Sequence, residues 1–244
     1  MTNEGRVALR QQRDLGQIFD AALTIYRQNF SVLFSIAALV IPLGIAGGIF
    51  QTISDDVANQ AITSVIGLCQ VGVNILAGSA VIVAINDADQ GRTPEFGRSY
   101  DIAFSRFGTL IMAFLRVAFH VILFFITIVG IPWAIQRAIR WAFTQQTIML
   151  ENANWEDALG RSADVVIGSW WRTFGILLLI GIVAGVPVGI VTGVLVFAPV
   201  LVSSTVSATV QALISPLASI AATLLYFDLK VRKQDAARPA PTGA

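Results

Sequence analysis

Six long apolar runs, joined by loops whose positive charge falls almost wholly on one side, leave this chain few ways to fold. A helix needs about 20 apolar residues to cross a hydrocarbon core roughly 30 Å thick. Residues 31–50, 62–85, 108–129, 133–150, 174–196 and 208–227 each approach that requirement. In lipid a free backbone amide has no partner, so such runs fold as helices that satisfy their own hydrogen bonds. The expected class is all-α, a polytopic bundle of six transmembrane helices. Composition agrees: 55% of the 244 residues are hydrophobic and 13% charged, about half the charged share of a soluble domain.

The cations set the expected orientation. Of the 16 Lys and Arg, Arg116, Arg137 and Arg140 lie inside apolar runs, which leaves thirteen in loops and termini. With the N-terminus inside, all thirteen fall on the inner side, from Arg6, Arg10 and Arg13 to Lys230, Arg232, Lys233 and Arg238. The outer loops, near 51–61, 130–132 and 197–207, hold only Asp55 and Asp56 as charges. This is the asymmetry of the positive-inside rule. Omitting the fourth run would move Arg161 and Arg172 outside, which favours six spans over five. The expected location is a bacterial inner membrane with both termini cytoplasmic. Residues 1–233 form one membrane domain, and the Ala- and Pro-rich residues 234–244 a disordered tail. The first apolar run starts too late for a secretory signal, so it is expected to be retained.

Each odd-numbered run follows a stretch of amphipathic character. Gly97-Arg98-Ser99-Tyr100-Asp101 precedes the third and Gly160-Arg161-Ser162-Ala163-Asp164 the fifth, while Gly16-Gln17-Ile18-Phe19-Asp20 precedes the first. The pattern predicts a thrice-repeated unit, an amphipathic interfacial helix on the cytoplasmic side feeding a transmembrane hairpin.

Three blocks carry a family likeness. They are Leu15-Gly16-Gln17-Ile18-Phe19-Asp20 with Tyr26-Arg27-Gln28-Asn29-Phe30; Trp155-Glu156-Asp157-Ala158-Leu159-Gly160-Arg161-Ser162 with Trp171-Arg172; and Leu224 to Lys233. In combination they resemble the membrane-domain family found beside glycerophosphoryl diester phosphodiesterases, which also occurs as free-standing six-span proteins. The resemblance implies a location and a fold more than an activity. The soluble catalytic barrel of those enzymes, with its His-Arg pair and metal site, has no counterpart here, so a non-enzymatic scaffold or accessory module is expected.

Ionisable groups inside a span cost roughly 2.5–3.5 kcal/mol each, so each needs a reason. On the third run Thr109, Arg116, His120 and Thr127 share a narrow arc at 3.6 residues per turn. On the fourth, Gln136, Arg137, Arg140, Thr144, Thr147 and Glu151 share an arc of about 100°. With Arg137, Arg140 and several Gln and Thr, this run is the weakest of the six, and an amphipathic helix on the membrane surface is its alternative. Paired as a hairpin, the two stripes face each other. Arg116, His120, Arg137 and Arg140 then form a cationic pocket for an anionic lipid, with Glu151 as the nearby acid and Asp228 as a second counter-ion. Either these groups satisfy one another structurally or they hold a lipid phosphate; a transporter lined by the same two stripes is the alternative. Gly181, Gly185, Gly189 and Gly193 form a strip for close helix packing, within the bundle or in a homodimer, or against another membrane protein. No cofactor is implied, one His and one Cys do not make a structural zinc site, and the basic residues line a membrane face, not a nucleic-acid groove.

Overall fold

The computed structural model describes residues 9–53, 57–126 and 130–237, and among these the secondary structure is helical throughout. The order is α1 (Leu15–Gln28), α2 (Phe30–Ala38), α3 (Val40–Ile53), α4 (Val57–Asp89), α5 (Phe96–Ser105), α6 (Phe107–Phe125), α7 (Ile131–Arg140), α8 (Thr144–Glu151), α9 (Trp155–Val166), α10 (Trp170–Val194) and α11 (Val200–Ala237). A 3-10 turn, Leu195–Phe197, follows α10. Thr127, expected on the polar arc of the third run, and the outer-loop Asp55 and Asp56 lie outside the described residues.

Among the described residues, five segments are long and apolar enough to cross a membrane: Phe30–Thr52 (α2 with α3), Val57–Asp89, Phe107–Phe125, Trp170–Phe197 and Val200–Ala237. The fourth expected span is not one helix. Residues 133–150 divide into α7 and α8, of 10 and 8 residues, and the chain turns at Trp141–Phe143 between them. Neither piece reaches the required ~20 residues. The break is held by one side chain. The Ser162 hydroxyl of α9 donates to the Arg140 carbonyl at 2.9 Å and accepts the Phe143 amide at 3.1 Å. It thus satisfies a free acceptor and a free donor that a helix interruption creates.

α4 and α11, of 33 and 38 residues, are longer than a bilayer core is thick. At 1.5 Å per residue they run about 50 and 57 Å, some 20 Å or more beyond the ~30 Å of hydrocarbon. Their burial changes along their length. Val57, Ile62, Val65, Leu68 and Val71 of α4 are exposed, whereas every residue from Val81 to Ile85 is buried. Likewise Val200, Leu201 and Val202 of α11 are exposed, whereas Leu224 to Leu229 are buried. The bundle therefore has one well-packed half and one half whose apolar side chains face outward, as a lipid-facing surface does.

The amphipathic helices fill the packed half. α1 lays Ile18, Ala21, Ala22 and Ile25 into the core against α11. α5 lies on α4, with Ala103 buried and the Tyr100 hydroxyl donating to the Ile36 carbonyl at 2.7 Å. α9 buries Ala158, Leu159, Val165 and Val166. Their apolar faces meet protein, because the projecting ends of α4 and α11 offer apolar surface that needs cover; lying free in a headgroup layer would leave that surface wet.

Three carboxylates, Asp87 and Asp228 buried and Glu151 partly so, bind this end together. Asp228 is fully buried and accepts the Arg13 backbone amide (2.8 Å), Arg172 (3.1 Å) and Arg232 (2.9 Å). Asp87 takes Arg92 and Arg98, the latter at 3.1 Å. Glu151 takes Arg161 at 3.0 Å and Lys230 at 2.7 Å. The N-terminal segment and the end of α11 consequently meet, and Gln12 also reaches Asp235 at 2.8 Å. Both described ends of the chain, the end of α4 and the start of α10 share one end of the bundle. The expected tail is shorter at its start, since 234–237 continue α11.

Candidate functional site

The sequence-predicted residues divide into two places. Arg116, half-way along α6, is exposed and stacks its guanidinium over Trp155 of α9, 5.1 Å from the ring centre. One turn later the His120 ring meets Trp141 edge-on at 5.4 Å, and its Nδ1 lies 2.8 Å from the Arg116 carbonyl. Arg137 of α7 stacks over the same Trp141 at 5.4 Å. Arg140, half-buried at the end of α7, contributes its carbonyl to the Ser162 clasp. Arg116, His120 and Arg137 are therefore gathered around Trp155 and Trp141, on the flank formed by α6, α7 and α9. Among the described residues no carboxylate forms an ion pair with Arg116, Arg137 or Arg140.

Glu151 is not part of this group. Its Oε1 accepts the Tyr226 hydroxyl and Lys230, and its Oε2 accepts Arg161. Burial raises the pKa of this carboxyl, and the hydrogen bonds from Lys230, Tyr226 and Arg161 more than offset it, so the net shift is downward. Asp228, the other expected counter-ion, is fully engaged by Arg13, Arg172 and Arg232. The cause of the Glu151 misplacement is the turn at Trp141–Phe143. A periodicity argument carries the phase of α7 into α8, and the break resets it.

The same break turns the polar side chains of α8 inward. Gln145 donates to the Ile75 carbonyl (2.8 Å) and the Ser79 hydroxyl (2.9 Å) of α4. Thr147 donates to the carbonyls of Thr144 and Ala158. Thr144 donates to the Trp141 carbonyl. These groups satisfy one another and the backbone, and do not form a stripe facing α6. Beside them a cavity of about 160 Å³ is lined by Ile75, Leu110, Ala113, Phe114, Val117 and Ile148, with Trp141, Thr144 and Gln145 at its polar side. Trp141 thus separates an apolar crevice from the arginine-bearing flank.

The tryptophans report where this flank lies. All 5 of the protein's Trp fall between residues 133 and 171. Pro132, Trp133 and Gln136 line one groove with Trp170 and Trp171, next to Arg172 and hence next to the ion pairs with Asp228. The turn expected at an outer face, 130–132, is therefore near the basic end of the bundle. A second groove, lined by Ile139, Leu177, Leu178, Gly181 and Gly185, runs beside α10.

The glycine strip packs against no other helix of this chain among the described residues. A Cβ placed on Gly181, Gly185, Gly189 or Gly193 meets nothing within 4 Å. The close helix approach lies instead between α3 and α11. A Cβ on Gly44 would come 2.7 Å from that of Ala208, and one on Gly48 would collide with the Ser204 hydroxyl.

Sequence reasoning missed two features. One is that the Arg of each Gly-Arg-Ser motif reaches back to an acid in the last turn of the preceding helix: Arg98 to Asp87, 11 residues upstream, and Arg161 to Glu151, 10 upstream. The near-equal spacing was a readable signal. The other is a polar cavity at the basic end, whose walls come from four separate segments and carry no local signal.

Fold and flank together define an all-helical, membrane-embedded class of protein. No family model, no curated protein and no solved structure matches the chain.

Proposed function

We propose that the chain is a non-enzymatic accessory or scaffold module of a bacterial inner membrane that binds an anionic lipid on the α6–α7–α9 flank. The observation that carries this reading is the pair of guanidinium groups, Arg116 over Trp155 and Arg137 over Trp141, without an acid partner among the described residues. An arginine at membrane depth keeps its charge and needs an anion, and a lipid phosphate supplies one. Stacking on Trp fixes each guanidinium plane while leaving its donor edge free. The crevice behind Trp141 is apolar and suits part of an acyl chain. The resemblance to membrane modules beside phosphodiesterases accords with an accessory role.

In this reading the basic end faces the cytoplasm, in keeping with the positive-inside rule. The contact of Gln12 with Asp235 supports a common side for both termini. The stretch from the end of α4 to the start of α10 begins and ends at that side. The grouping of Trp133 with Trp170 and Trp171 supports an α6–α7 hairpin that returns to its side of entry. Tryptophans gathered there correspond to the aromatic belt of the inner leaflet.

The test is lipid retained by the protein extracted in native-lipid particles and measured by mass spectrometry. Wild type is expected to keep anionic phospholipid in stoichiometric amount. Arg116→Gln with Arg137→Gln is expected to lose most of it while the melting temperature is unchanged. Equal lipid content in wild type and variant refutes the reading.

A further inference from the structure

We propose a second, separate site: the polar cavity at the basic end, between α4, α8, α11 and the N-terminal segment, binds a water-soluble phosphate-bearing anion. The cavity holds about 380 Å³ and is bordered by Arg10, Asn86, Gln90, Glu151, Lys230 and Gln234, with Tyr226 and Phe227 at its apolar wall. That volume is within the roughly 300–1,000 Å³ of small-ligand sites.

The lining offers two cationic donors, Arg10 and Lys230, and the amide N–H groups of Asn86, Gln90 and Gln234. Glu151 is the acid of the cavity, and both its oxygens are already taken by Tyr226, Lys230 and Arg161. Arg10 is exposed, rests its guanidinium 5.7 Å from the centre of the Phe227 ring, and has no ion pair among the described residues. Lys230 gives one proton to Glu151 and has two more to donate. The side chains of Asn86, Gln90 and Gln234 make no hydrogen bond to the described residues. Arg10 and Lys230 against Glu151 leave one net positive charge, to which Arg161 behind Glu151 adds another. An anion that accepts from several directions matches this better than a carboxylate with its two oxygens. The three terminal oxygens of a phosphate group meet that description.

Place decides the source of the phosphate. Asn86 is in the last turn of α4, Gln90 directly follows that helix, and Lys230 and Gln234 are in the last turns of α11. The cavity sits among the ion pairs of Asp87, Glu151 and Asp228, a charged setting to which a soluble phosphorylated molecule has access. The packed walls support a preformed site: Tyr226 is fully buried and braces Glu151, and Phe143 packs against it at a tilt, with ring centres 5.8 Å apart.

The experiment is titration calorimetry on the full chain in detergent, with inorganic pyrophosphate as the probe and acetate at equal ionic strength as the control. Wild type is expected to bind pyrophosphate saturably and acetate at least tenfold more weakly. Arg10→Gln, on an exposed residue that does not hold the fold, is expected to weaken pyrophosphate at least tenfold, and Gln90→Ala several-fold. Arg116→Gln is expected to leave it unchanged, which separates this site from the lipid flank. Absence of saturable binding, equal affinity in Arg10→Gln, or acetate as tight as pyrophosphate overturns the proposal. A flotation arm compares vesicles of phosphatidylcholine with and without phosphatidic acid. Phosphatidic acid binding that depends on Arg10, with no binding of soluble pyrophosphate, overturns the assignment to a soluble anion.

Discussion

Replacing Asp228 by Asn removes a charge without changing a shape, and its consequence can be worked out from the contacts around it. The carboxylate is fully buried and holds the Arg13 amide at 2.8 Å, Arg172 at 3.1 Å and Arg232 at 2.9 Å. Hydrogen bonds to a charged group contribute about 1.5–3 kcal/mol each, against about 0.5–1.5 for neutral pairs. The Arg172 and Arg232 side chains are 32% and 33% exposed, so solvent screens part of their share. The sum is about 3 kcal/mol, at the lower end of the ~3–5 kcal/mol typical of breaking a buried ion pair. For a chain of this size that lowers the melting temperature by roughly 6–12 °C. The assay is thermal loss of the monodisperse peak on size exclusion, in one detergent at one salt concentration. A local readout accompanies it: Arg13 is 2% exposed in the native protein, and Asp228→Asn is expected to open the Arg13–Asp14 bond to trypsin before global unfolding. A melting temperature within about 2 °C of wild type, with trypsin resistance intact, refutes the view that this carboxylate pins the N-terminus to α10 and α11.

Further outcomes follow from other contacts. Gly44→Leu and Gly48→Leu are expected to destabilise by about 2 kcal/mol or more by wedging α3 from α11, whereas Gly185→Ala, with open space around it, is expected to be neutral or stabilising by up to ~1 kcal/mol; equal effects at the two places contradict the packing described. Glu151 has a pKa held below the usual 4.5, so its network stabilises the fold fully above that value and loses the contribution as pH falls through the lower folded pKa. Melting temperature measured from pH 7 to pH 3 is therefore expected to fall less steeply at the acid end in Glu151→Gln than in wild type; parallel curves contradict this. Burial raises the pKa of Tyr100 to about 12, so the fold is expected to lose stability above pH 10 in wild type and less so in Tyr100→Phe. Tags on the two termini are expected to be accessible from the same side of oriented vesicles, and opposite accessibility contradicts the hydrogen bonds from Arg13 to Asp228 and from Gln12 to Asp235.

Much of the architecture was readable one residue at a time. Apolar runs of sufficient length foretold the helices, and the Gly-Arg-Ser motifs foretold α5 and α9, because amphipathicity is a property of consecutive residues. Arg116, His120 and Arg137 do come together, since α6 and α7 are consecutive in the chain and pack on each other. The placement of Glu151 was not, because it depended on a helix running unbroken from 133 to 150. The Arg, Gln and Thr of 133–150 mark it as the weakest run but not where it breaks; Ser162, far downstream, stabilises the break.

What the sequence alone determined is the class of solvent this chain needs, because hydrophobicity and charge add up locally and require no knowledge of neighbours. It also placed the cations at one end. The tertiary structure decided which carboxylate each cation meets, that α1, α5 and α9 cover α4 and α11, and that the glycines at 44 and 48, not those from 181 to 193, bring helices close. Those outcomes depend on distances between segments far apart in the chain, and a helical period carries no information across a turn.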